Sequence, residues 1–154
     1  MRFSFITPII MMVLPAIVQA GNAFITNKCR DSVYVWSVSS SVSPKTTITW
    51  GGQYEESYRA DPKSGGIALK ITTVDNGLFT PNTPQTVLSY SIDGDHVWYD
   101  LSDVGGDAFA GRRVVLHPDN PNCDSIIWPR GIPPTGSNIK ACDARYDIEL
   151  ILCA

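Results

Sequence analysis

The sequence predicts an all-β protein, an antiparallel β-sandwich carrying one disulfide-stapled loop. Three observations carry this reading. Apolar and polar residues alternate over short runs bounded by Gly, Pro, Asn, Asp and Ser, the pattern of half-buried strands joined by turns. No segment sustains helical periodicity beyond two turns. Four cysteines, an even number, follow an apolar leader.

The leader comes first. Arg2 is the only charge in residues 1–20, Ile6 to Val18 is almost wholly apolar, and Val18-Gln19-Ala20 supplies small or medium side chains before Gly21. A charged start, an apolar middle and a small-residue cleavage site predict a secretory signal over 1–20. A membrane anchor is disfavoured, because the run is shorter than the roughly 20 residues a span needs and contains Pro8 and Pro15. The remaining residues, 21–154, are read as one domain, a soluble extracellular monomer. Of 12 lysines and arginines only Arg2 lies in the leader; the other 11 face 15 acids, for a net charge of −4. Only Arg112-Arg113 forms a basic pair and no basic stripe is visible, so nucleic acid is not an expected partner.

Phe24-Ile25-Thr26 sits in the first strand, which ends near Cys29. Val33-Tyr34-Val35-Trp36 is apolar at every position and reads as an interior strand. Ser37 to Pro44 reads as a surface loop. Thr46 to Trp50 alternates, which sets Ile48 and Trp50 on one side before a turn at Gly51-Gly52. Tyr54 to Arg59 reads as an exposed strand. Ile67, Leu69 and Ile71 form the clearest period-two set, with Lys70 and Thr72 expected to face water or a groove. Leu88, Tyr90 and Ile92 repeat it, Asp93-Gly94-Asp95 makes a hairpin turn, and Val97, Tyr99 and Leu101 resume with Trp98 and Asp100 opposite. Val114 with Leu116, and Ile148 with Leu150 and Leu152, give two more strands. Residues 118–145, rich in Pro and Asn, read as a long loop with a short helical turn near 137–143.

Four cysteines allow three connectivities. Cys29 ends the first strand and Cys153 nearly ends the last, so a Cys29–Cys153 bond ties the chain ends together and leaves Cys123–Cys142 to staple the irregular segment. Chain entropy assigns about 5 kcal/mol to the long loop and about 3 to the short one. No close C-x-x-C spacing suggests zinc.

A family resemblance follows from Gly21-Asn22-Ala23, Asn27-x-Cys29, Val33-Tyr34-Val35-Trp36-Ser37-Val38, Gly51-Gly52-x-Tyr54-x-Glu56 and Gly65-Gly66-Ile67-x-Leu69-Lys70-Ile71. Val97-Trp98-Tyr99-Asp100-Leu101-Ser102 and Leu150-Ile151-Leu152-Cys153 extend it. In this order they resemble the Blastomyces yeast-phase-specific protein family, related to thaumatin-like proteins. The resemblance implies a thaumatin-like sandwich, fungal origin, secretion, the same first-to-last cysteine pairing and an effector-like role. Full thaumatins carry more disulfides and a cysteine-rich second domain, which this chain lacks.

Some thaumatin-like proteins of plants have an acidic cleft linked to β-glucan binding and weak hydrolysis. Glycoside hydrolysis needs two carboxyl groups astride the bond. The resemblance puts Ser89, Val97 and Gly105 where that cleft has acids, and Lys70 near its arginine; only Asp100 is retained. The expectation is therefore a non-enzyme, with a weak β-1,3-glucan hydrolase as the alternative. Glu55 and Glu56 are adjacent, so a strand sends them to opposite faces. Asp100, Asp103 and Asp107 lack the spacing of a calcium loop and read as a turn. His96 and His117 stand without a nucleophile motif, and no cofactor motif or Asn-x-Ser/Thr site follows residue 20.

Binding residues are sought among the aromatics. Tyr54, Tyr58, Trp98 and Trp50 are candidates to stack on sugar rings, and Asp100 is a further candidate for ligand binding. Trp128-Pro129-Arg130 is a candidate protein anchor, because Trp and Arg dominate interfaces, set against the alternative that Trp128 simply packs under the loop. The expected partner is a cell-wall polysaccharide or a host protein; the 123–142 loop would alternatively act as a protease inhibitor.

Overall fold

The computed structural model describes residues 20–154, so all but Ala20 of the expected signal lies outside the described residues. The strands are β1 (Asn22–Asn27), β2 (Val33–Val38), β3 (Thr46–Ile48), β4 (Gln53–Ser57), β5 (Ile67–Thr72), β6 (Gln85–Asp93), β7 (His96–Val104), β8 (Val114–Pro118), β9 (Ile126–Trp128), β10 (Lys140–Asp143) and β11 (Ile148–Leu152). Among the described residues a single 3-10 turn spans Gly77–Phe79. Among the described residues no helix is long and apolar enough to cross a membrane.

Two sheets form the sandwich, one ordered β4-β1-β11-β8-β9 and the other β10-β7-β6-β5-β2-β3. Every pair is antiparallel except β1 with β11, which run parallel from Ala23↔Ile148 to Asn27↔Leu152. Alternation explains the core directly: Ile25, Leu116 and Leu150 from the first sheet face Leu69, Leu88 and Leu101 from the second, all buried. Burying each such side chain contributes about 1.5–3 kcal/mol. Asn27 is a buried polar tie. Its amide donates to Asp31 O and Ile48 O, each at 2.9 Å, and its Oδ1 accepts from Cys29 N, so no polar atom of that side chain is left unpaired.

Cys29 is bonded to Cys153 and Cys123 to Cys142. The hairpin at 93–96 turns through Gly94 with φ +60°. Four expectations need correction. Residues 118–145 are not one loop, because they contain β9 and β10. The helical turn near 137–143 is absent; Lys140–Asp143 instead pairs with β7, whose edge supplies backbone partners, with Cys142 opposite Val97. Trp50 does not share the inward side of Ile48, because the strand ends at Ile48 and the turn leaves Trp50 73% exposed. Thr72 does not face water. The 74–83 segment folds over it, and its hydroxyl donates to Val74 O at 2.7 Å.

Candidate functional site

A trough runs along the outer face of the six-stranded sheet. Because Leu69, Leu88 and Leu101 point into the core, their neighbours Ala68, Ser89 and Asp100 point out. The register sets Val38, Ala68, Ser89 and Asp100 side by side on β2, β5, β6 and β7, and Ser91 beside Trp98. Small side chains on the two middle strands leave the floor low, while Trp98 with Ile139 and Val38 with Ser39 stand at its sides. The groove encloses about 530 Å³. A smaller hollow of about 300 Å³ continues from Asp100 under Pro133 to Ile139. Glycine matters at Gly66, where a Cβ would lie 3.0 Å from Tyr90 O and crowd the groove rim.

One carboxylate organises the rim opposite Trp98. Asp61 accepts from Ser40 N at 2.8 Å, Ser40 Oγ at 2.5 Å, Lys63 N at 2.8 Å and Ser64 N at 3.2 Å. The Ser40 hydroxyl, then the Ser40 and Lys63 amides, hold its carboxyl far below the usual range. Two separate loops are thereby fixed on either side of Ser39 and Ser64.

Asp100 is the carboxylate of the groove itself, and burial raises its pKa. Asp103 is an odd number of residues away on the same strand and therefore faces the other way. It accepts from Thr86 Oγ1 at 2.5 Å on the core side. Burial first, with nearby Asp107 adding to it against the Thr86 bond, pushes Asp103 up to about 6. The two acids consequently do not share a face. No group of three His, Cys, Asp or Glu side chains able to hold a metal occurs among the described residues. His96 pairs with Asp95 at 2.6 Å and His117 with Glu149 at 3.4 Å.

Apart from Trp50, exposed in its turn, the residues proposed for binding divide between surface and interior. Trp98, 45% exposed, and Asp100 lie together in the groove. Tyr54 is half-buried on β4 and donates to Glu56 at 2.9 Å. Burial first and Glu56 second push its phenol up to about 12. Tyr58 is corrected: it is 8% exposed, stacks 5.3 Å from Tyr90 and donates to Tyr146 O at 3.0 Å, so it offers no ring to a ligand. Trp128 is also corrected. On β9 it shares the inward side with Ile126 and is fully buried. Arg130 is exposed. Its carbonyl accepts from Gly111 N at 2.8 Å, so the main chain there is not free to enter a protease cleft as a substrate mimic does, where that carbonyl must meet the enzyme's donors. The residues missed by sequence reasoning are the trough floor and Ile139. The available signal was small side chains, Ala68, Ser89 and Ser91, at outward positions of adjacent strands.

Comparison with known proteins agrees with this geometry. The chain is 29% identical over 154 residues to an antigenic thaumatin-like protein of Arthroderma benhamiae, covering 92% of this chain and 76% of that one. It is 27% identical over 151 residues to the secreted thaumatin-like protein calA of Emericella nidulans, covering 90% and 84% respectively. The crystal structure of the protein elicitor MoHrip2 from Magnaporthe oryzae superposes with a TM-score of 0.72 at 27% identity, over 88% of this chain and all (100%) of the other. The thaumatin-like xylanase inhibitor TLXI, at 13% identity and a TM-score of 0.57 over 86% and 99%, shares the fold. The sequence pattern of the Blastomyces yeast-phase-specific protein family matches residues 10–154. With a thaumatin-like sandwich, the same chain-end disulfide that the resemblance implied and a family match across nearly its whole length, this chain belongs to the Blastomyces yeast-phase-specific protein family.

Proposed function

We propose that the protein is an extracellular, non-catalytic binding protein whose outer-sheet groove holds a segment of cell-wall polysaccharide. One observation carries this reading: a long, shallow trough with an exposed indole, a row of hydroxyls and a single carboxylate. The Trp98 ring suits the apolar C–H face of a pyranose, and Ser89, Ser91 and Asp100 offer hydrogen bonds to its hydroxyls. A lone carboxylate on that face supports binding over hydrolysis, which needs two. Extracellular residence is supported by the two disulfides and by a relative named as secreted.

The test is a pull-down on insoluble β-glucan and chitin. Trp98→Ala and Ser89→Trp, the second filling the trough, are expected to abolish retention. Equal retention by both variants sinks the reading. Reducing-sugar release that disappears in Asp100→Asn supports the weak hydrolase instead. A protein ligand is a second reading, favoured by the likeness to a protein elicitor at 27% identity; host-tissue response to wild type and to Trp98→Ala alike would favour it over the polysaccharide.

A further inference from the structure

The fold gathers positive charge that is scattered in the sequence. At one end of the sandwich β1 and β11 finish, β8 begins and β9 finishes, because Leu152 pairs with Val114 and Val114 with Trp128. The next residues along these strands are Lys28, Cys153, Arg113 and Pro129. Backbone bonds hold this row: Lys28 N to Leu152 O at 3.0 Å, Ala154 N to Arg113 O at 2.9 Å and Gly111 N to Arg130 O at 2.8 Å. The Cys29–Cys153 bond clamps it further. Lys28, Arg30, Arg112, Arg113 and Arg130 are therefore carried on three neighbouring loops across roughly 15 Å, the width of four strands.

All five are exposed. Elsewhere Lys45, Arg59, Lys140 and Arg145 each have an acidic partner, and only Lys63 and Lys70, well separated in sequence from this end, have none among the described residues. None of the five forms an ion pair among the described residues, although Asp31 and Asp107 lie in the same loops. A domain whose residues 21–154 carry a net charge of −4 thus concentrates unpaired cations at one end. Trp50 stands at that end too, since its turn is bonded to Asn27 through Gly51 N at 2.7 Å and Gly52 O at 3.0 Å. It is the most exposed large hydrophobic residue described.

We infer that this end of the sandwich binds an acidic polysaccharide, a pyranose chain bearing repeated carboxylate or sulfate groups. One exposed ion pair gains little, so a lone anion would not be held, whereas a polymer meets several cations at once. Four of the five are arginines, whose planar forks pair two-to-two with carboxylate or sulfate oxygens. The free indole of Trp50 supplies a stacking face for a sugar ring, which an acidic polypeptide does not require. This site lies apart from the Trp98 groove and stands without it.

The experiment measures binding of the folded protein to immobilised polygalacturonate, dextran sulfate, unmodified dextran, polyglutamate and duplex DNA. Polygalacturonate and dextran sulfate separate carboxylate from sulfate. Retention of at least one of them, but not dextran, is expected, falling steeply between about 0.05 and 0.5 M salt. Arg112→Glu with Arg130→Glu should weaken it about tenfold or more. Trp50→Ala should weaken it while leaving any polyglutamate binding unchanged, and Trp98→Ala should leave all of it unchanged. These residues are exposed, and circular dichroism checks the fold of each variant. Absence of binding, indifference to the charge reversals, or polyglutamate or DNA bound as tightly as the acidic polysaccharide would overturn the inference.

Discussion

Tyr90, in the six-stranded sheet, donates its hydroxyl to Glu56 on the edge strand of the five-stranded sheet at 2.5 Å. Tyr54 donates to the other oxygen of that carboxylate, and Arg59 approaches it at 4.0 Å while donating to Ser37 Oγ at 2.8 Å. This polar seam joins the two layers. Tyr90→Phe removes one bond and is expected to cost about 1–2 kcal/mol in urea unfolding. Glu56→Ala leaves two tyrosine hydroxyls without their acceptor and should cost more, about 2–3 kcal/mol. The reverse ranking would show that Glu56 does not hold the seam.

Four tyrosines should resist alkali together. Burial lifts Tyr54 and Tyr99 to about 12, and burial also raises Tyr58 and Tyr90 strongly, with Glu56 adding to the effect at Tyr90. A folded-state pKa above the unfolded value of about 10 means this stability is intact below pH 10 and is lost as pH rises through the folded values. Phenolate absorbance for these four is expected to appear with unfolding rather than before it, seen by following 295 nm absorbance and circular dichroism in one alkaline titration.

Asp103 should act in the opposite region. Its folded pKa, near 6, exceeds the ordinary carboxylate value because of burial and Asp107. The folded state holds the proton longer, so stability declines as pH rises from about 4 to about 6. The shift corresponds to no more than about 3 kcal/mol, and partial exposure discounts this to about 1. Asp103→Asn keeps the acceptor for Thr86 and should flatten the decline. An unchanged slope across that window would assign it to other groups.

Asp61 should govern the groove rim. Asp61→Ala removes four hydrogen bonds to Ser40, Lys63 and Ser64. Amide exchange at those three residues is expected to accelerate by about tenfold or more, while the amides of β5 and β6 keep their protection. Below the unfolded carboxylate pKa the same loops should loosen in the wild type, because a depressed folded pKa confers stability that is present above that value and is lost as pH falls towards the folded one.

The strands of the six-stranded sheet were readable because their alternation is clean. Leu69 against Lys70 and Val97 against Trp98 state which side faces in. Trp128 was not readable, since Ile126, Ile127 and Trp128 are all apolar and only the pairing with β8 turns Ile127 outward. Tyr58 lies beyond the end of β4 between Ser57 and Arg59, a polar setting that suggested exposure; its burial comes from Tyr90 and Tyr146, distant in sequence. The basic end was invisible for a related reason. Lys28 and Arg130 are about a hundred positions apart and come to the same end of one sheet only through the strand order β1-β11-β8-β9.

That order also constrains when the protein can fold. β11 comes after β1, β4, β8 and β9 in the chain yet occupies the middle of their sheet, so β1 and β8 have no neighbour to join them until residues 148–152 are available. The five-stranded sheet must wait for those residues, and β1 must stay unpaired on that side meanwhile. Removing residues 148–153 takes out a central strand together with one half of the Cys29–Cys153 clamp, whereas an exposed edge strand could be lost with less damage.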